Sequence, residues 1–211
     1  MRSKFFHLML TLLFVGSLTS VSLGQTGDLS DDILNPSIFN IGGGVSTLSI
    51  ANSVSDSDQS DGTSGNPAAD IDFFNVVVAA GYQLDAINLI SFDGGGNAFF
   101  GFAENQLGGN PSLGAEQGAF VASALGFTLI DGTETSLFTD LAAGVGTTTP
   151  GVGFDSNAPL GSGTYAFVFQ NTGTNTNNYK LEFQGSTVPE PSSAALLAVC
   201  GLAVLRRSRR K

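Results

Sequence analysis

Between Ser55 and Asp72 the chain carries Asp56, Asp58, Asp61, Asp70 and Asp72 among serine, glutamine, threonine and asparagine side chains. Carboxylates this close repel one another unless a cation or water relieves them. Their oxygens suit a hard ion such as Ca²⁺, which takes about six to eight oxygen ligands and accepts irregular loops. Asp70 and Asp72, two apart at the start of a strand, would point to one side and could share an ion. The spacing is not that of a helix–loop–helix calcium loop. Counted from Asp56, the glycine position holds Asp61 and the last carboxylate position holds Pro67; counted from Asp58, the glycine position holds Thr63. A calcium site here is of another type, and the alternative is an acidic loop that only keeps the protein in solution.

Other residues invite chemistry less strongly. Glu104, Glu116, Glu134 and Glu182 could contribute an acid–base pair for glycoside cleavage, but nothing fixes their separation. Tyr82, Tyr165 and Tyr179 could stack on sugar rings, in a chain with no tryptophan. Gly161–Ala166 fits the dinucleotide pattern G-x-G-x-x-A in letters alone. It leads into a strand, so no helix N-terminus awaits a pyrophosphate.

Composition narrows the field further. The chain has 211 residues and a formal charge of −10, unevenly spread. His7 and Cys200, the one histidine and the one cysteine, lie near the two ends. Residues 25–187 keep Lys180 as their one cation against 17 acidic side chains, a formal charge of −16. A segment without His or Cys has no Ser-His-Asp triad, no cysteine nucleophile and no zinc site of the usual ligands. One cation cannot neutralise a phosphate backbone, so nucleic acid is excluded as a partner. Such a charge also favours solution at high salt, where screening relieves self-repulsion.

The elements that must position these residues read as strands. Thr47–Ala51, Asp72–Ala79, Tyr82–Phe92, Ala98–Phe102, Phe120–Ile130, Thr135–Leu141, Thr164–Gln170 and Tyr179–Gln184 are rich in β-branched and aromatic residues. Turn clusters separate them, among them Ala80-Gly81, Asp93–Asn97, Asp131-Gly132 and Asn171–Asn178. The best helical stretch is Ala115–Leu125, interrupted by Gly118. The pattern predicts an all-β domain over 25–187, an antiparallel β-sandwich of jelly-roll type. Of 17 phenylalanines, the 14 in this domain are expected in its core.

The two ends read as addresses. Met1-Arg2-Ser3-Lys4 is positive, Phe5–Val15 is mostly apolar, and small residues follow to Ser22-Leu23-Gly24. Residues 1–24 therefore form an export signal cut before Gln25. Residues 188–211 run from Val188-Pro189-Glu190-Pro191 through apolar Ala194–Leu205 to Arg206, Arg207, Arg209, Arg210 and Lys211. The cations hold the tail tip in the cytoplasm and leave the domain outside. The apolar run of 12 residues is a short transmembrane helix, stretched by Ser192, Ser193 and snorkelling arginines.

This C-terminus resembles the PEP-CTERM sorting tail of exported bacterial proteins. The resemblance implies recognition by an exosortase, a processing enzyme of the inner membrane, and delivery to the cell surface or extracellular matrix, often beside exopolysaccharide. Asp70-Ile71-Asp72-Phe73-Phe74 with Val76–Tyr82, and Gly163–Phe167 with Tyr179–Phe183, resemble the bacterial pre-peptidase C-terminal domain, which implies a small sandwich fold. The expected function is a non-catalytic surface or matrix protein without a certain cofactor. The alternatives are a surface-displayed module binding calcium or extracellular polysaccharide and, third, a carboxylate hydrolase.

Overall fold

The computed structural model describes residues 21–26, 28–54, 71–93, 97–108, 117–130, 136–143, 154–171 and 176–188. Most of the export leader lies outside these residues, as do Asp56, Asp58, Asp61, Asp70 and the tail from Pro189 to Lys211. Among the described residues no helix is long and apolar enough to cross a membrane.

Among the described residues nine strands form two mixed sheets. They are β1 (Val21–Thr26), β2 (Ser37–Ile41), β3 (Val45–Val54), β4 (Ile71–Val78), β5 (Tyr82–Asp93), β6 (Ala98–Glu104), β7 (Ala124–Ile130), β8 (Gly163–Asn171) and β9 (Asn177–Thr187). The first sheet has the order β1-β3-β9-β5 and the second β2-β4-β8-β6-β7. Each step from β2 to β6, and the step from β8 to β9, passes from one sheet to the other.

The expectation of an all-β chain holds; that of purely antiparallel sheets is corrected. The inner ladders β3–β9, β5–β9, β4–β8, β6–β8 and β6–β7 are antiparallel, while the edge pairs β1–β3 and β2–β4 are parallel. The second of these follows from connectivity. β2 turns back into β3 at a tight corner, and β3 returns as β4. Two strands each reversed relative to β3 must run the same way.

Alternation along the strands builds the core. Leu48, Ile50 and Val54 of β3, Phe74, Val76 and Val78 of β4, Phe167 and Phe169 of β8, and Leu181 and Phe183 of β9 turn inward. The sheets meet ring to ring: Phe183 lies 6.0 Å from Phe74 and 5.1 Å from Phe167, edge to face. All 14 phenylalanines of the domain are buried or partly buried. A smaller apolar cluster on the other face of the second sheet joins Ile71, Phe73, Phe127 and Val168 to Phe120.

Phe120 belongs to α1 (Gln117–Ser123), so the strand expected from Phe120 begins only at Ala124. Thr135–Leu141 is a second correction, because Leu137–Ala143 is the helix α2. Leu137, Phe138 and Leu141 are all buried, the spacing of one helical face. α2 packs beside β7, and Gly126 permits the approach: a Cβ there would lie 2.6 Å from the Leu141 carbonyl oxygen. β1 and β2 were not expected as strands; β2 has five residues and β1 overlaps the leader.

Candidate functional site

One end of the molecule gathers the polar groups. The register pairs Val54 with Asn177 and Asn52 with Tyr179 across β3 and β9, and Ile71 with Gln170 and Asp72 with Phe169 across β4 and β8. Asp93 closes β5 beside Asn178, and Ala98 opens β6 opposite both Asn171 and Ile130. The strand ends that flank residues 55–70, 94–96, 131–135 and 172–175 therefore lie at this one end.

Asp72 is its centre. β4 alternates so that Phe74, Val76 and Val78 face the core, and Asp72 lies on the same side with 0 % exposure. A carboxylate in such a place needs donors. Tyr179 Oη donates to Asp72 Oδ2 at 2.6 Å, and Asn52 Nδ2 donates to Asp72 Oδ1 at 2.8 Å. Cross-strand pairing of Asn52 with Tyr179 sets both donors against one carboxylate. The Tyr179 ring stacks on Phe169 at 3.8 Å, which fixes where the hydroxyl points. Beside it the buried Asn177 donates from Nδ2 to Asn171 Oδ1 at 2.8 Å. Nearer solvent, Asn178 Nδ2 donates to Asp93 Oδ1 at 2.7 Å. The arrangement closes the apolar core with a network of hydrogen bonds.

Of the five aspartates singled out in the sequence, Asp72 is thus inside, with both oxygens engaged by protein donors. Asp56, Asp58, Asp61 and Asp70 lie outside the described residues, as do Pro189, Glu190, Pro191, Arg206, Arg207, Arg209, Arg210 and Lys211. Among the described residues no three His, Cys, Asp or Glu side chains gather as a metal cluster. Val188, the first residue of the sorting motif, is tied to the sheet: its N–H donates to the Gly81 carbonyl at 2.8 Å. It leaves from the end opposite Asp72.

Two of the three tyrosines offer no face on which a sugar ring could stack. Tyr179 is 2 % exposed and Tyr165 is 6 % exposed. Tyr82 is half-buried and accepts a hydrogen bond from the Gly44 N–H at 3.2 Å. Tyr165 Oη donates to the Gly161 carbonyl at 2.9 Å. Burial, and then the charge of Glu104 opposite it on β6, push its hydroxyl above the ordinary 10.0. Gly163–Asn171 is a strand, so the glycine pattern at 161–166 meets no helix. Glu104 and Glu182 sit on different sheets. Glu182 instead accepts a hydrogen bond from Gln184 Nε2 at 2.6 Å. In the turn before β2, hydrogen bonds from the Asn35 amide and the Leu34 N–H hold the Asp32 carboxyl below its ordinary value.

Sequence reading missed Asn52, Asn171 and Asn177. An asparagine within an apolar strand run was the available signal, since a strand core tolerates an amide only where a partner meets it.

The fold and this end define an all-β protein of two stacked sheets with a polar plug at one end. No protein-family model and no curated protein matches the chain.

Proposed function

We propose that the protein is an exported, non-catalytic component of the cell surface or extracellular matrix. Its domain, residues 25–187, is a jelly-roll-like sandwich, and an exosortase recognises and processes the tail through Val188, Pro189, Glu190 and Pro191. The observation that carries this reading is the order of address segments around one folded body. A positive, apolar and small-residue leader precedes it; Pro-Glu-Pro, an apolar run and a basic cluster follow it. The tail starts where β9 ends, with the Val188 N–H still bound to Gly81. In the membrane-held form the inner membrane anchors residues 194–205, and the Asp72 end faces away from it.

Intact mass of the native protein from membrane, surface and medium fractions tests the proposal. A chain from Gln25 ending near Val188, in the surface or medium fraction, is the expected result. A chain from Gln25 through Lys211, confined to membranes, overturns the sorting step and leaves an anchored ectodomain.

A second reading, a calcium-binding end, is favoured by the register. β3, which leads to Asp56, ends against Asn177 and Asn178 of β9, and Asp93 accepts the Asn178 amide from the other side of β9. Titration calorimetry with CaCl₂ tests it: heat of binding that disappears when all four aspartates become asparagine supports it, and no heat in the parent chain ends it. Polysaccharide binding, the other form of this alternative, would draw on hydroxyls, amides and the partly exposed Tyr82.

A further inference from the structure

The leader and the fold overlap. β1 spans Val21–Thr26, while the signal cut falls between Gly24 and Gln25. β1 is an edge strand with β3 as its neighbour in the sheet, and its residues Val21, Ser22, Leu23 and Gly24 pair with Val45, Thr47, Leu48 and Ser49. Removal of the leader takes these four away and keeps Gln25 and Thr26, which pair with Ile50 and Ala51. The first half of β3 then becomes an edge with free backbone N–H and C=O groups.

Native edges are blunted by lysine, inward charge, proline or a covering segment. The far edge of this sheet has such protection. β5 carries Asp85 and Asp93, and its start is covered by a backbone pair, Leu84 N–H to the Leu160 carbonyl at 2.7 Å and Leu160 N–H to the Leu84 carbonyl at 2.9 Å. β3 reads VSTLSIANSV, with no charge and no proline. β2, the edge strand of the other sheet on that side, has none either. In a domain of formal charge −16, β3 and β2 themselves set no carboxylate across such a pairing, and the acids on that side, Asp28, Asp31 and Asp32, lie in the segment before β2. Self-pairing is more demanding than pairing with a stranger, because every charge on the strand would face its own like. β3 meets that demand. Its outward residues Thr47, Ser49 and Ala51 are small, and the hydroxyls of Thr47 and Ser49 pair well across antiparallel strands.

We infer that leader removal uncaps β3 and that the freed edge pairs, antiparallel and about a two-fold axis, with β3 of a second copy. The inference rests on the export reading, since only a cut at Gly24 frees the edge in the host. Before the cut, β1 keeps the chain from associating; after it, the mature protein joins its sheets across copies, as suits a surface layer or matrix.

The test uses two purified chains in the same mild detergent, Val21–Lys211 and Gln25–Lys211, with mass measured by light scattering over a concentration series. The expected result is a dimer for the chain from Gln25 and a monomer for the chain from Val21. Thr47→Lys in the shorter chain, which sets two cations across the new ladder, is expected to weaken the dimer by roughly fivefold to tenfold. Monomers for both chains, or dimers of equal strength, overturn the inference, as does a dimer indifferent to Thr47→Lys. The N-terminal mass of the exported protein is measured separately. A native chain that begins upstream of Val21 refutes the export cut and with it the uncapping in the host, even where the shorter chain dimerises.

Discussion

At one end of the core Tyr179 gives its hydroxyl proton to a buried carboxylate; at the other, Tyr82 and Tyr165 bind backbone. The contrast lies in how far each contact reaches. Tyr179 and Asp72 are 107 positions apart, and Asn52 adds a third strand. Tyr165 bonds Gly161, four positions away, within the turn that leads into its own strand. A contact made by the local chain survives small shifts between sheets. The Asp72 network exists only when β3, β4 and β9 are all in register, so it reports correct assembly of the two sheets, and its members depend on one another.

The largest effect should therefore come from Asp72→Ala. It takes from Tyr179 and Asn52 the carboxylate they share, at a cost of about 3–5 kcal/mol in unfolding free energy. In a domain of this size that lowers the melting temperature by roughly 8–15 °C, to be read by circular dichroism. A loss below about 1 kcal/mol would mean that the network only decorates the end of the core and that the two ends do not differ.

The opposite end should break through its backbone instead. Gly42 forms the β2–β3 corner, exchanging hydrogen bonds of 3.0 Å with Val45 in both directions. Its φ is +137°, and a Cβ there would lie 2.5 Å from the Cβ of Ala79. Gly42→Ala is expected to cost about 2–4 kcal/mol from strain and overpacking together. Urea unfolding measures it, and an effect near zero would show that the corner relaxes freely.

A matched pair of substitutions sharpens the comparison. Tyr179→Phe removes a donor from a buried carboxylate and should cost about 1–3 kcal/mol. Tyr165→Phe removes a donor from a turn carbonyl and should cost about 1 kcal/mol or less. A cycle combining Tyr179→Phe with Asn52→Ala should show coupling through Asp72, whereas Tyr165→Phe with Asn52→Ala should be additive. Equal costs for the two tyrosines would remove the distinction between the ends.

How much of this was legible follows the same division. Strands built on Phe73–Val78 or Thr164–Gln170 announce themselves, because β-branched and aromatic runs bounded by glycine have few other uses. Ala80-Gly81 was readable as a turn, since Gly81 supplies a φ of +80°. What could not be read was which sheet each strand joins. Nothing in the local pattern says that β4 and β5 sit in different sheets, or that β2 runs parallel to β4. Thr135–Leu141 misled because Leu137, Phe138 and Leu141 suit a helical face that only the neighbouring β7 reveals. At the polar end, the acidic stretch showed Asp72 as one carboxylate among five, and sequence spacing set it beside Asp70. The fold gives it to Tyr179 and Asn52, partners from distant strands that no local rule connects. Gly42-Gly43-Gly44 was a further overlooked local signal: three successive glycines mark a corner whose φ values are all positive.

The smallest prediction concerns pH. Burial and the neighbouring Glu104 raise the Tyr165 hydroxyl above its ordinary 10.0. The folded chain thus holds this proton more tightly than the unfolded chain does. Its contribution to stability is fully present below pH 10.0 and is lost as pH rises through the folded value. Glu104→Gln removes the second of the two causes and leaves burial, so the hydroxyl should titrate nearer its ordinary value and the alkaline loss should shrink without vanishing. Absorbance of the tyrosinate band, followed with unfolding free energy between pH 9 and 12, separates the two chains. Tyr165→Phe should abolish this component of the alkaline loss. If the alkaline curves of the parent, Glu104→Gln and Tyr165→Phe chains coincide, Tyr165 is not what closes that end of the core, and the contrast with the Asp72 end must rest on the glycine corner alone.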